Sequence, residues 1–338
     1  MIAVGPGAVP VTTTSPVELT SSGSGLPAAV VAPNEAILYS ASGTPKLEVT
    51  PFAVSVPGGI RVATADLNGD GVDDLIAATG PGVLDEVVVF DGATGKKIED
   101  FTPFPGFTGG LFVTTGEFEG TEDIIVSPDS GGGPRVTIYQ GMTQTVLCNF
   151  YGVDNPNFRG GARVAVGDLN GDGTPDLIVA AGPGGGPVVS IYNGTSITPG
   201  GFTQKLVGDF FAFGSDVTRD GVYVASGDVN GDGYDDLILG AGAGGGPRIE
   251  VLDGRQLVQT GNQVPLADFF SGATTRRDGV PVVARDLTGS GLADIIAGGG
   301  STQAVSVYLA AHLGTSATQS PDLTFDPFPT YNSGVNVG

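Results

Sequence analysis

In the stretch AVGDLNGDGTPDLIVAAG, Asp168, Asn170, Asp172 and Asp176 stand at positions 1, 3, 5 and 9 of a glycine-rich loop, with the carbonyl of Thr174 at position 7. The same spacing returns in Asp66, Asn68, Asp70, Val72 and Asp74, and again in Asp228, Asn230, Asp232, Tyr234 and Asp236. Hard cations such as calcium take about six to eight oxygen ligands, and a tight loop of this kind supplies most of them from one segment. Glycine at position 6 (Gly71, Gly173, Gly233) permits the sharp reversal that wraps an ion. An EF-hand would also need a glutamate at position 12, where this chain has Ala77, Val179 and Leu239, and no helical pattern flanks the loops. Asn-Gly and Asp-Gly form turns without any ion. A turn alone does not require the ninth-position aspartate, however, and carboxylates packed together without a cation repel one another. The pattern therefore predicts calcium at about three sites. Two further copies depart from it. One keeps Asp286 and Asp294 but has Thr288 and Ser290 between them, which predicts a weak or empty loop. The other, around Glu117, Glu119 and Asp123, is shorter and reads as a plain turn.

Other chemistries find less support. GAGAGG at residues 240–245 fits a dinucleotide fingerprint, but Pro247 and the β-type run RIEVLDG follow where a helix is required. His312 is the single histidine, which removes most metal-hydrolase and serine–histidine schemes and leaves an exposed loop residue as the expectation. Cys148 lies in the apolar run TVLCNF, reads as a small buried hydrophobe, and has no partner for an internal disulfide. Asn193-Gly194-Thr195 is a formal glycosylation sequon at a hairpin turn. The basic residues of TRDG at Thr218 and RRDG at Arg276 read as solvated turns, with contact to an acidic ligand as the alternative.

The loops recur because the chain does. Short alternating runs led by Gly59, Gly110, Gly161, Gly221, Gly279 and Gly334 are spaced 51, 51, 60, 58 and 55 residues apart. The first five are followed by an acidic loop, a second apolar run (DLIAATG, DIIVSPD, DLIVAAG, DLILGAG, DIIAGGG), a third run after a Gly/Pro turn, and a fourth, which can carry an aromatic pair, as in VGDFFAF. Four such runs rich in Val, Ile, Leu, Tyr and Phe predict one antiparallel blade. Repeated blades of this size predict an all-β fold, a six-bladed β-propeller of four-stranded antiparallel blades. A linear β-solenoid, with shorter rungs, is the runner-up. EAILYS and KLEVTPF at the N-terminus and VNVG at the C-terminus supply pieces of a closing sixth blade, so N- and C-terminal strands would close the ring. Its missing second strand is either residues 1–5 or AAVVAP at 28–33. Residues 1–26 otherwise have the composition of a flexible segment, leaving 27–338 as a single propeller domain, with the closing blade formed by 334–338 plus 27–58.

Composition bounds the partners. With 58 glycines and 14 Lys plus Arg the chain is rich in turns, and its net charge of −22 argues against nucleic acid or an anionic membrane. No run reaches transmembrane length, and the N-terminus lacks the basic and apolar regions of a signal peptide. The chain ends where a further acidic loop would follow, which leaves open that it is an excerpt of a longer array.

The Gly-Gly or Asp-Gly lead, VAVGDLNGDGTPDLIVAAG and the Gly/Pro turn that follows resemble the FG-GAP repeats of integrin α-subunit propellers and the related bacterial VCBS-type repeats, from about residue 27 onward. The resemblance implies a propeller with calcium between the first and second strands of a blade, on an extracellular or cell-surface protein. The family's Phe-Gly dipeptide is often replaced here. The functional expectation is a non-catalytic interaction or adhesion module with a protein ligand. Carbohydrate binding between blades is the alternative, weakened by the absence of Trp and only 8 Tyr. A polysaccharide-active enzyme comes third and would need a basic residue paired with carboxylates at the ring centre.

Overall fold

The computed structural model describes residues 2–6, 34–40, 44–201, 203–214, 221–299, 304–314, 316–328 and 335–338. Among these residues the strands form six four-stranded antiparallel sheets, arranged as the blades of a propeller. Within a blade the first strand is innermost and the fourth is outermost, and the second strand carries the heaviest burden of packing. Asp74–Thr79, Asp176–Ala181 and Asp236–Ala241 are buried at every residue. A strand covered on both faces has no reason to alternate, which is why these segments read as continuous apolar runs. Fourth strands such as Lys205–Phe211 are only partly covered and alternate with polar residues.

Six core clusters fill the six gaps between blades. One joins Ala63, Ile76 and Val89 to Leu111, Ile124 and Val126, and the next joins Ile125, Val136 and Ile138 to Val164, Leu177 and Val179. Backbones come close at these seams, and the leading glycines make that approach possible. Gly161 has φ +71°, and a Cβ placed on it would lie 2.2 Å from the Pro128 carbonyl oxygen of the preceding blade. Any larger residue is excluded twice, by torsion and by space.

The closing blade has the order Val335–Val337, Ile2–Pro6, Ala36–Tyr39, Pro45–Val49. Residues near 1–5 thus supply its second strand; the competing segment 28–33, the flexible reading of 7–26 and the leading Gly334 lie outside the described residues. Two local features differ from the all-strand expectation. Gly254–Thr260 is an α-helix between a third and a fourth strand, where three other blades carry a 3-10 turn. Its ends are set by Asp253, whose side chain accepts from the Gln256 N–H, and by left-handed Gly261. The shortened loop of the second blade is a two-residue hairpin, with Glu119 at φ +51° and Gly120 at φ +79°, both left-handed as a primed turn requires.

Candidate cation loops and the axial cavity

Each complete loop joins a first strand to a second, so all three lie on one face of the ring. Asp168 at position 1 is the hub of its loop: Oδ1 accepts from the N–H groups of Gly171 and Asp172, and Oδ2 accepts from Gly173. Asp66 and Asp228 repeat this, each taking N–H groups from its own loop on both oxygens. Asn170 Oδ1 accepts from Asp172 N–H and Asp172 Oδ1 from Thr174 N–H, two Asx turns in series.

The ninth-position carboxylate is anchored differently. Asp74, Asp176 and Asp236 are fully buried. Asp176 accepts from Leu169 N–H at 3.1 Å and from Gly194 N–H, in the turn after the third strand, at 2.9 Å. Asp74 and Gly92, and Asp236 and Gly254, make the same link. The Asn carboxamide at position 3 donates to this carboxylate in all three loops. Burial pushes the Asp176 and Asp236 carboxyls up to about 7, against the opposing pull of their backbone donors.

The incomplete copies show what the ninth aspartate does by itself. Asp294 is buried and accepts from Leu287 N–H and Ala310 N–H, and Asp123 accepts from Gly141 N–H. The expectation that a turn has no use for this residue is therefore corrected: it ties the loop to the neighbouring hairpin whether or not the other acids are present. Asp286 likewise gathers the N–H groups of Gly289, Ser290 and Gly291 with Thr288 and Ser290 in place of Asn and Asp, and these donors hold its carboxyl below the usual range.

Do these residues fit a calcium ion? The donors are hard oxygens, and Asp168 Oδ2 and Asp172 Oδ1, which each accept one backbone N–H, retain a lone pair for an ion. Among the described residues, no three Asp, Glu, His or Cys side chains already converge as a metal-holding group. The position-3 carboxamide faces the ninth carboxylate with its N–H side, so an ion would need that amide turned to present oxygen. The chemistry fits and the side chains must shift.

A second feature lies on the axis. The innermost strands of all six blades line one cavity of about 220 Å³. The second residue after each leading glycine is Arg61, Phe112, Arg163, Tyr223 and Pro281, with Asn336 in the closing blade. Arg163 lies 3.9 Å from the Tyr223 ring centroid and 5.5 Å from that of Phe112, and Arg61 lies 5.1 Å from Phe112. Arg61 is paired with buried Asp129 at 3.1 Å. Sequence reasoning passed over these arginines. The signal was present: in four of its six copies this position carries Arg or an aromatic between aliphatic residues.

First and third strands run in the same direction, so their starts share the face opposite the loops. Arg61 and Arg163 near the start of first strands, Arg135 and Arg248 at the start of third strands, and Arg159, Arg276 and Arg277 in connections ahead of first strands all fall there. Arg276 is paired with Asp278 at 3.1 Å, and Arg277 donates to the Thr274 carbonyl, so both steady the turn that the sequence suggested. The TRDG segment lies outside the described residues up to Gly221. Cys148 is buried and free, with its thiol pushed up by burial. His312 sits exposed in a 3-10 turn, 2.6 Å from Asp322. Residues 240–245 run from the end of the strand Asp236–Ala241 into its connection to Arg248–Leu252, with no helix following.

Residues 168–239 match the model of the FG-GAP-like repeat, and residues 224–255 that of the FG-GAP repeat. Among solved structures, the chain is similar to an Agrocybe aegerita lectin described as recognising non-reducing terminal N-acetylglucosamine, at 18% identity and a TM-score of 0.43, over 80% of this chain and 67% of that one. It is similar to the exotype rhamnogalacturonan lyase YesX at 15% identity and a TM-score of 0.43, over 80% of this chain and 53% of the lyase. U3-55K is similar at 11% identity and a TM-score of 0.47, over 90% of this chain and 89% of that one. The chain thus spans about half of the lyase and two thirds of the lectin.

Proposed function

We propose that this chain, an FG-GAP repeat β-propeller, is a non-catalytic interaction module of a surface or secreted protein, which presents the loops of one face to a protein ligand and is stabilised by calcium. The observation that carries the reading is the threefold recurrence, on one face, of an all-oxygen loop with the same spacing and the same hydrogen bonds. A rigid ring with one cation-stiffened face suits a docking platform. Calorimetric titration of metal-stripped protein tests the calcium half of this reading. About three sites are expected, and at roughly ten times the dissociation constant each adds about 1.4 kcal/mol, or about 4 kcal/mol together. An absence of heat and of any calcium-dependent rise in melting temperature would remove calcium and the extracellular inference with it. Capture of a protein ligand from extracellular material, in calcium but not in chelator, tests the other half.

Catalysis finds little to work with. Arg61 and Asp129 meet the bare requirement of a basic residue paired with a carboxylate near the axis, but a guanidinium stays protonated and cannot serve as a base. Turnover of a uronic-acid polymer would overturn this part of the proposal. Carbohydrate binding has one observation in its favour, a cleft of about 550 Å³ between blades lined by Phe104, Phe107, Arg135 and half-exposed Tyr151. A glycan array probed with and without calcium separates it from a protein binder.

A further inference from the structure

We infer that the axial cavity is a binding site for a small carboxylate, held by the guanidinium of Arg163. Arg163 is 5% exposed, lines the cavity, and its buried Nε and Nη1 have no hydrogen-bond partner. Nearly all buried polar groups in native proteins are paired, and a buried cation without a counter-ion is among the costliest exceptions. Stacking on Tyr223 and Phe112 compensates part of the charge through the ring faces, but ring faces leave the in-plane N–H donors unsatisfied. Asp129 is already engaged by Arg61, and among the described residues no carboxylate is paired with Arg163. What the site lacks is an anion.

The identity of that anion follows from shape and size. Guanidinium presents a planar fork of donors that matches the two oxygens of a carboxylate. The cavity, at about 220 Å³, falls below the usual range for drug-sized ligands, so it suits a small ligand. Its walls include Val62, Val164 and Val224, which favour a short apolar tail on the carboxylate. The site lies on the face where the arginines gather, opposite the acidic loops, in a chain of net charge −22. Arg61, Arg248 and Arg276 are paired with carboxylates on that face, which leaves Arg163 to draw an approaching anion.

The test uses propionate as the probe, followed by saturation-transfer NMR at constant ionic strength on the full chain. The expected result is saturation of the propionate methyl group, with affinity weakened about tenfold or more in Arg163→Gln. Arg277→Gln, which removes an exposed charge from the same face, should leave affinity unchanged. Arg163→Gln removes an unpaired buried cation, so its melting temperature without propionate should not fall. Arg163→Lys, which keeps the charge but not the fork, should bind with intermediate affinity and provides the comparison if Arg163→Gln does not fold. Equal saturation in Arg163→Gln and the parent, no saturation in the parent, or binding of sulfate in preference to propionate would each overturn the assignment.

Discussion

At the residue scale, the five copies of the loop separate two jobs that the sequence presents as one. The acids at positions 1, 3 and 5 organise the loop and would meet an ion. The ninth-position aspartate instead reaches down into the blade. Asp294→Ala would leave the buried N–H of Ala310 unsatisfied, at about 1–3 kcal/mol, and the part-buried N–H of Leu287 at less. We expect that loss in urea denaturation with and without calcium alike, whereas Asp172→Ala should cost little in metal-free protein and remove only the calcium-dependent increment. An Asp294→Ala penalty that disappeared on stripping the metal would contradict the separation. Protons give a second handle. With folded values near 7 against an ordinary 3.8, Asp176 and Asp236 bind protons more tightly in the folded state. Metal-free protein should therefore lose stability as pH rises from about 4 to 7 and lose no more from these groups above that. Calcium competes for the deprotonated form, so its addition should flatten or reverse the slope. Thermal melts across this range, repeated on an Asp176→Asn/Asp236→Asn variant in which the metal-free slope should shrink, check both signs.

At the element scale, legibility followed locality. Second strands were readable from their own residues although neighbouring blades bury them, because a doubly covered strand such as Asp236–Ala241 must be apolar throughout. Turns were readable where glycine supplied a left-handed torsion, as at Gly120. The helix Gly254–Thr260 was not, since GRQLVQT is too short for a helical period to stand out and occupies a place where a tighter turn serves other blades. The arginine cavity was the hardest to see. It exists only because ring closure sets Arg61, Arg163 and Asn336 around one axis, and no window of sequence contains all three. The aspartate loops, by contrast, are each written in nine consecutive residues, so their membership was legible even though the separate role of the ninth was not.

At the scale of the whole molecule, the ring holds because its two chain ends share a sheet. Val335–Val337 pairs with Ile2–Pro6, with Val4 opposite Val337, and Ala3 and Gly338 exchange backbone hydrogen bonds at 3.1 Å. The same short strand pairs with Ala36–Tyr39 and contributes Val4 to one seam and Ala3 to the next. Five residues thus complete the core on both sides of the closing blade. The closure also reaches the axis, because buried Asn336 donates from Nδ2 to the Ile60 carbonyl at 2.8 Å and lines the cavity. A propeller opened at this point leaves two blade faces without partners and a last strand with no neighbour to pair with. Deleting residues 1–6 should therefore lower the melting temperature and replace a single cooperative transition with a broader one, read by calorimetry and circular dichroism. Val4→Asp, which keeps the strand's backbone hydrogen bonds but places a charge at a fully buried position, should have the same direction of effect. If both variants melted like the parent, closure would have to come from somewhere other than this strand. If both fell, propionate binding should weaken with them, since the axial cavity keeps its shape only while the sixth wall stands.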